Sequence, residues 1–317
     1  MSNLWRGSHK FRGLVQFQGG VNGLIPDRGN GKTFYVDSRS WGSGDDDNLP
    51  GTDPNHPLAT LAVAYGLCTA GANDYIVCLD GYDNDTTTLT IAKTALHIIG
   101  VNGANHRSPF VWMKVGGTGD AAVFTLNGGD AFNTEIAGFT LGADSSHPCI
   151  TFGAGTTVNM CYAWIHHCAF AATGDTAFIA QDGILIGVPV PSGTLIEDCT
   201  FGDEITRDGI RFVDFNDGLI RNCLFNNCGA KCIDAIAGGT AAGGMPDIFD
   251  NRFQANATGT AEGWAITSMA AGDGFIDGNH ASDSYTTPTY NAYLDHNDVN
   301  QWGLNYSNKT ATDPATT

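Results

Sequence analysis

Basic residues are scarce in this chain. Lysine and arginine together number 15 among 317 residues, against 33 aspartates and glutamates, and the formal net charge is −18. An acidic body of this kind repels nucleic acid and anionic lipid, and no basic, aromatic-studded face is laid out for nucleic acid. Long apolar runs are missing too. None reaches the roughly 18 residues a membrane-spanning helix requires, so neither a membrane nor a nucleic acid is expected as a partner. There is no GxxxxGK[ST] loop and no strand-borne GxSxG, which removes P-loop phosphate chemistry and the nucleophile-elbow hydrolases. The opening MSNLWRGSHKFRGLVQFQGG has basic residues, but Gln16, Gln18 and Gly19 interrupt any apolar core. It does not read as a secretory signal, and synthesis in a cytoplasm is expected.

What the chain has in quantity is glycine, 42 residues, and a repeated cassette. The cassette is an apolar residue, a second slot three residues on, and a third two residues after that. Its copies are Ile136/Phe139/Leu141, Ile165/Cys168/Phe170, Ile196/Cys199/Phe201, Ile220/Cys223/Phe225, Ile248/Asn251/Phe253 and Ile276/Asn279/Ala281. The steps between isoleucines are 29, 31, 24, 28 and 28 residues, so the spacing varies between copies while the phase inside each copy does not. That combination predicts stacked coils joined by loops of variable length. Each cassette reads as a strand, a bend and a second short strand with inward apolar side chains.

Stacked at the strand spacing of about 4.8 Å, the six isoleucines form one internal column, and Phe170, Phe201, Phe225 and Phe253 form another. Each such side chain contributes roughly 1.5–3 kcal/mol on burial. Gly183-Ile184, Gly209-Ile210, Cys232-Ile233 and Gly263-Trp264 mark a second strand family in step with the first. The fold expected is therefore all-β, a parallel β-solenoid. Cys168, Cys199 and Cys223 occupy the slot later taken by Asn251 and Asn279, an inward site at a bend. Nine cysteines are an odd number, and in-register neighbours are poorly oriented for a disulfide, so free thiols are expected. Cys223, Cys228 and Cys232 with His166 and His167 match no zinc spacing, and no metal or cofactor is expected.

Three regions follow. Residues 1–32 carry Arg6, Lys10, Arg12, Arg28 and Lys32 against Asp27, a net of +4 that leaves −22 for residues 33–317. With Trp5 and Phe11 among these cations, the arm has both charged and apolar contacts to offer, and Trp5, Arg6, Lys10, Phe11 and Arg12 are its candidate partner-binding residues. Residues 33–281 form the solenoid, opening with the strand TFYVD and a cap helix near 57–70. Pro57 is expected in that helix's first turn, with Leu58, Leu61, Ala62, Tyr65 and Cys68 on its buried face and Gly71 at its end. Tyr75 to Leu79, Leu89 to Ile91 and Leu96 to Ile99 read as the strands of the first coil. Residues 282–317, with Tyr285, Tyr290, Tyr293, Trp302 and Tyr306, form a C-terminal cap and tail.

The succession TFYVDS, a Gly/Asp-rich turn, NHPLATLAVAYGLC, DYIVCLDG and LHIIGVNG resembles the opening of right-handed parallel β-helix proteins of the pectate-lyase-like group, in the versions carried by tailed-bacteriophage virions. The resemblance, which covers residues 33–281, implies right-handed coiling and three sheets, with residues 1–32 as an extended N-terminal arm ahead of it. It also implies a structural virion protein, a capsid decoration or cement protein, docked through its arm on the major capsid protein as a homotrimer. The alternative it implies is a tailspike-like polysaccharide depolymerase or a glycan-binding module.

Carboxylates are where the two readings part. Asp182, Asp208 and Glu262 each precede the glycine of the second strand family, with Lys231 at the equivalent place between them. Stacked acids suit acid/base work on a glycan. They equally suit an exposed turn position on an acidic protein, with Lys231 in a simple ion pair. Glu197 over Arg221 reads as a surface pair. Asp45, Asp46 and Asp47 lack the alternation of a calcium loop and read as a solvated turn.

Overall fold

The computed structural model describes residues 31–37, 44–48, 50–79, 81–83, 88–101, 111–114, 122–127, 131–152, 162–172, 178–187, 193–213, 215, 217–236, 244–254, 265–268, 274–282, 293–295 and 300–307. The arm residues Trp5, Arg6, Lys10, Phe11 and Arg12, and Glu262, lie outside them. The strands assemble into three parallel sheets of ten, nine and eight strands, and the chain visits them in turn before starting the next rung. Glu135–Ala137 lies in the first sheet, Phe139–Gly142 in the second and Ile150–Phe152 in the third; Trp164–His166 then returns to the first.

Register follows the cassettes. Ile98, Ile136, Ile165, Ile196, Ile220, Ile248 and Ile276 pair in succession along the first sheet, all buried. Trp302 extends the row. In the second sheet Phe170, Phe201, Phe225 and Phe253 stack with ring centroids 4.7, 4.5 and 5.0 Å apart and planes within 21° of parallel. In the third, Ile150, Ile184, Ile210, Ile233 and Ile266 form the facing column. Gly183 and Gly209 sit where these columns meet. A Cβ at Gly183 would lie 2.6 Å from the Phe201 ring, and one at Gly209 2.7 Å from that of Phe225.

The bend between the first two sheets has one backbone solution. Gly138, His167, Asp198, Asn222, Asp250 and Gly278 all take positive φ, between 53° and 78°. Glycine adopts this left-handed conformation freely, and Asn and Asp tolerate it best among the rest. The next residue of each bend from residue 168 onward points inward as the Cys/Asn slot. There Asn251 Oδ1 accepts the Cys223 N–H at 2.9 Å, Asn279 Oδ1 that of Asn251 at 3.0 Å, and Asn305 Oδ1 that of Asn279 at 3.1 Å. Their amide groups donate in turn to the carbonyls of Ile220, Ile248 and Ile276. Cys168, Cys199 and Cys223 direct their thiols to the corresponding carbonyls of Ile136, Ile165 and Ile196 at 3.8–3.9 Å. None of the eight described cysteines is in a disulfide and all are buried, and burial pushes the Cys199 thiol well above its ordinary range.

Several boundaries differ from the expected ones. Trp302, Asn305 and Ser307 continue the cassette spacing, and the strands Tyr293–Asp295, Gln301–Trp302 and Tyr306–Ser307 add a further rung, so the coil runs past residue 281. Leu96–Gly100 pairs directly with Asp74–Cys78 and so opens the second coil. The cap helix is shorter, Leu61–Leu67, because Thr60 is its N-cap and accepts the Val63 N–H. Pro57 therefore precedes the helix. Its buried face uses Leu61 and Ala64, with Leu58 and Cys68 at either end, while Ala62 is exposed. Asp46, from the acidic turn, anchors the helix start by accepting from the N–H groups of Ala59 and Thr60 and from the Thr60 hydroxyl. The helix packs on Thr33–Val36 and Asp74–Cys78, closing that end of the stack.

Phe225 has a ring on each side, whereas Phe253 has one. Phe225→Ala is expected to cost about 3–5 kcal/mol and Phe253→Ala less, as read from chemical denaturation midpoints.

Candidate functional site

The entry to the third sheet places Asp182 and Asp208 one rung apart, directly before the glycines that clear the phenylalanine stack. Both are buried. Arg207 holds Asp182 with a two-pronged contact, its Nε at 2.8 Å from Oδ1 and its Nη2 on Oδ2. The same carboxylate accepts the Asp208 N–H at 3.2 Å. Asp208 repeats the device one rung on, accepting the Lys231 N–H at 3.0 Å on Oδ1 while Arg211 Nη1 lies 3.2 Å from Oδ2. Lys231 turns its ammonium away to Asp234, at 2.9 Å. The exposed acidic turn expected from the sequence is thus a buried, ordered pair of carboxylates on successive rungs, each met by an arginine.

Each carboxylate is tied down because it stands at the turn that enters the third sheet. A backbone N–H at this position has no strand partner, and an aspartate oxygen from the preceding rung supplies one. The electrostatic cost falls on Asp208. Burial, then Asp234 and Asp182, raise its pKa to about 6 against the opposing pull of Arg211. That places a carboxyl in the range useful for proton transfer. Yet its side chain is only 2 % exposed and both oxygens are occupied.

Glu262 lies outside the described residues. Ile266, not Trp264, pairs with Ile233, so the strand is Ile266–Ser268. Counting two residues back, as from Ile210 to Asp208, reaches position 264. The strand entry expected at Gly263-Trp264 is instead at Ala265-Ile266, one dipeptide later.

A second constellation, on the outer face of the first sheet, was not singled out beforehand. Glu135 accepts from His97 Nδ1 at 2.5 Å and from His166 Nε2 at 2.9 Å. Two outward columns flank the isoleucine ladder: His97, Glu135 and Trp164 before it, His166, Glu197 and Arg221 after it. Reading the residues on either side of each ladder isoleucine would have found them. Tyr75 stacks on His97 at 4.2 Å, and the partly exposed Trp164 ring on His166 at 3.9 Å. Glu197 accepts the Trp164 Nε1–H at 2.7 Å and meets Arg221 Nε at 2.6 Å, so the expected Glu197/Arg221 pair forms and also orients the indole. Burial works against Glu135 ionising, but the hydrogen bonds and charges of His166 and His97 prevail and hold its pKa at about 2. Among the described residues, no three His, Cys, Asp or Glu side chains are placed to share a metal ion.

No family model matches the chain, and no curated protein matches it. Solved structures do. Pectate lyase Pel9A superposes with a TM-score of 0.53 at 11% identity, over 93% of this chain and 78% of that one. A pectin methylesterase in complex with hexasaccharide VII gives 0.52 at 12% identity, over 89% and 92%. Pectin methylesterase PemA from Erwinia chrysanthemi gives 0.50 at 12% identity, over 90% and 92%. The chain is a right-handed parallel β-helix. At these identities the likeness carries the fold alone, and this β-helix must be assigned a function from its own side chains.

The two carboxylates titrate in opposite senses. Glu135, depressed in the folded state, contributes stability that is complete above its ordinary pKa and is lost as pH falls from about 4.5 toward 2. Asp208, raised when folded, contributes most below its ordinary pKa and loses that contribution as pH rises through about 6. Asp208→Asn should therefore gain stability relative to wild type between pH 4 and pH 7, by on the order of 1–3 kcal/mol. Denaturation at the two pH values measures it; a pH-independent difference would contradict the assignment.

Proposed function

We propose that this chain is a non-enzymatic structural protein of a tailed-phage particle, a capsid decoration or cement protein. The β-helix is the stiff post, residues 1–32 dock it on the major capsid protein, and three copies stand together as a homotrimer. The observation that supports this reading is the closure of the acidic ladder. Cleavage of a polysaccharide by paired carboxyl groups requires oxygens open to the sugar. In Asp182 and Asp208 those oxygens are spent on Arg207, Arg211 and the backbone of the following rung. Stacked isoleucine, phenylalanine and asparagine columns suit a post, since every rung stabilises its neighbours.

A second reading is favoured by Asp208, whose carboxyl titrates at about 6 beside an arginine. That is a catalytic signature in other settings, and it keeps a glycan-cleaving flank in view.

The test combines location with activity. Under the structural reading, the full chain copurifies with intact particles and a chain lacking residues 1–32 does not, while neither releases reducing ends from bacterial capsular polysaccharides. Cleavage by the full chain that disappears in an Asp208→Asn variant still folded at the assay temperature would replace the first reading by the second.

A further inference from the structure

Arginines in this β-helix are otherwise accounted for. Of those whose side chains are described, Arg207 is tied to Asp182, Arg211 to Asp208 and Arg221 to Glu197. Arg252 makes no ion pair among the described residues and is exposed. It stands on the outer face of the second sheet, in register with His280 on the next rung, which is exposed as well. The two line a groove of about 850 Å³ together with Gln254, Ser282, Asn222 and Asp250. Gln254 and Ser282 form a second column, in register with each other, beside the Arg252/His280 column. One rung beyond His280, Tyr306 continues the row with its ring half exposed.

We infer that this groove is a binding site for an oxyanion-bearing saccharide, separate from the buried acidic ladder, whose residues belong to the third sheet and the turns before it. An arginine fork with no carboxylate partner among the described residues is the group that recognises a planar carboxylate or a sulfate or phosphate ester by paired hydrogen bonds. His280, one strand spacing away, offers a second donor to the same anion. Gln254, Ser282 and Asn222 supply the mixed donors and acceptors that hydroxyl groups need. The exposed Tyr306 ring adds an apolar body with a polar tip at one end of the row. Asp250 lines the same groove, but among the described residues it forms no ion pair with Arg252, so the guanidinium fork is left for an external anion. Asp250 sits on the left-handed bend that borders this sheet.

The site stands whether the chain sits on a capsid or elsewhere, so its failure leaves the particle assignment intact. The full-length chain is titrated calorimetrically at low salt with three probes: a hyaluronan hexasaccharide for the carboxylate, a chondroitin sulfate hexasaccharide for carboxylate plus sulfate, and maltohexaose as the neutral control. Saturable binding is expected for one or both anionic probes and not for maltohexaose, with the preferred probe naming the anion. Arg252→Gln should weaken it at least tenfold and His280→Ala less. Arg252→Lys should fall between, since it keeps the charge and loses the fork. Because Arg252 is exposed, melting temperatures should be unchanged, and an unfolded Arg252→Gln leaves the lysine variant and the probe comparison to decide. Equal binding of maltohexaose, no saturable binding of either anionic probe up to about 10 mM, or undiminished affinity in folded Arg252→Gln would each overturn the site.

Discussion

Parallel, in-register pairing of successive rungs is the constraint from which the rest of this molecule follows. Each residue lies about one strand spacing from its counterparts above and below, so the chain must choose side chains that tolerate copies of themselves. Isoleucine and phenylalanine do so inside, because a column of either buries every member but the last. Asparagine does so at the bend, because its amide donates and accepts at once: Asn251, Asn279 and Asn305 each accept the slot N–H of the preceding rung and donate to a carbonyl of that same rung. Cysteine fits the same slot as a small apolar residue with a weak donor, and the exchange from Cys223 to Asn251 leaves the Cys223 N–H satisfied.

The same rule penalises charge on the outside, where identical ions one spacing apart repel. The chain answers by alternation. His97 and His166 enclose Glu135, Arg221 follows Glu197, and Asp234 follows Arg211. Where alternation is incomplete, at Asp182 and Asp208, the strain is visible in a carboxyl held near pKa 6 despite its arginine. On the described part of the second sheet, Arg252 and His280 put a cation over an imidazole on adjacent rungs.

Much of the fold was legible because the inward residues keep phase. Ile196 over Ile220 and the phenylalanine column follow from the spacing i, i+3, i+5 alone. The terminal rung escaped notice because Trp302, Asn305 and Ser307 keep that spacing with different residue types. Gly263-Trp264 misled because a glycine before an apolar residue looks like a strand entry wherever it occurs, and only pairing with Ile233 selects Ile266. The site was less legible for a simpler reason. Asp182 and Asp208 could be aligned by position, but whether a carboxylate faces water or an arginine two dozen residues away is decided by the neighbouring rung. Glu135, His97 and His166 meet across three rungs, which no local pattern announces.

A double-mutant cycle on the phenylalanine column tests the in-register claim most directly. Phe201 and Phe225 lie on adjacent rungs with parallel rings 4.5 Å apart, whereas Phe170 and Phe225 are separated by a rung. Stability measurements on the single and double alanine variants should give a coupling of about 0.5–1.5 kcal/mol for the adjacent pair and a much smaller one for the separated pair. Equal couplings, or none between Phe201 and Phe225, would contradict the stacking on which the whole account rests.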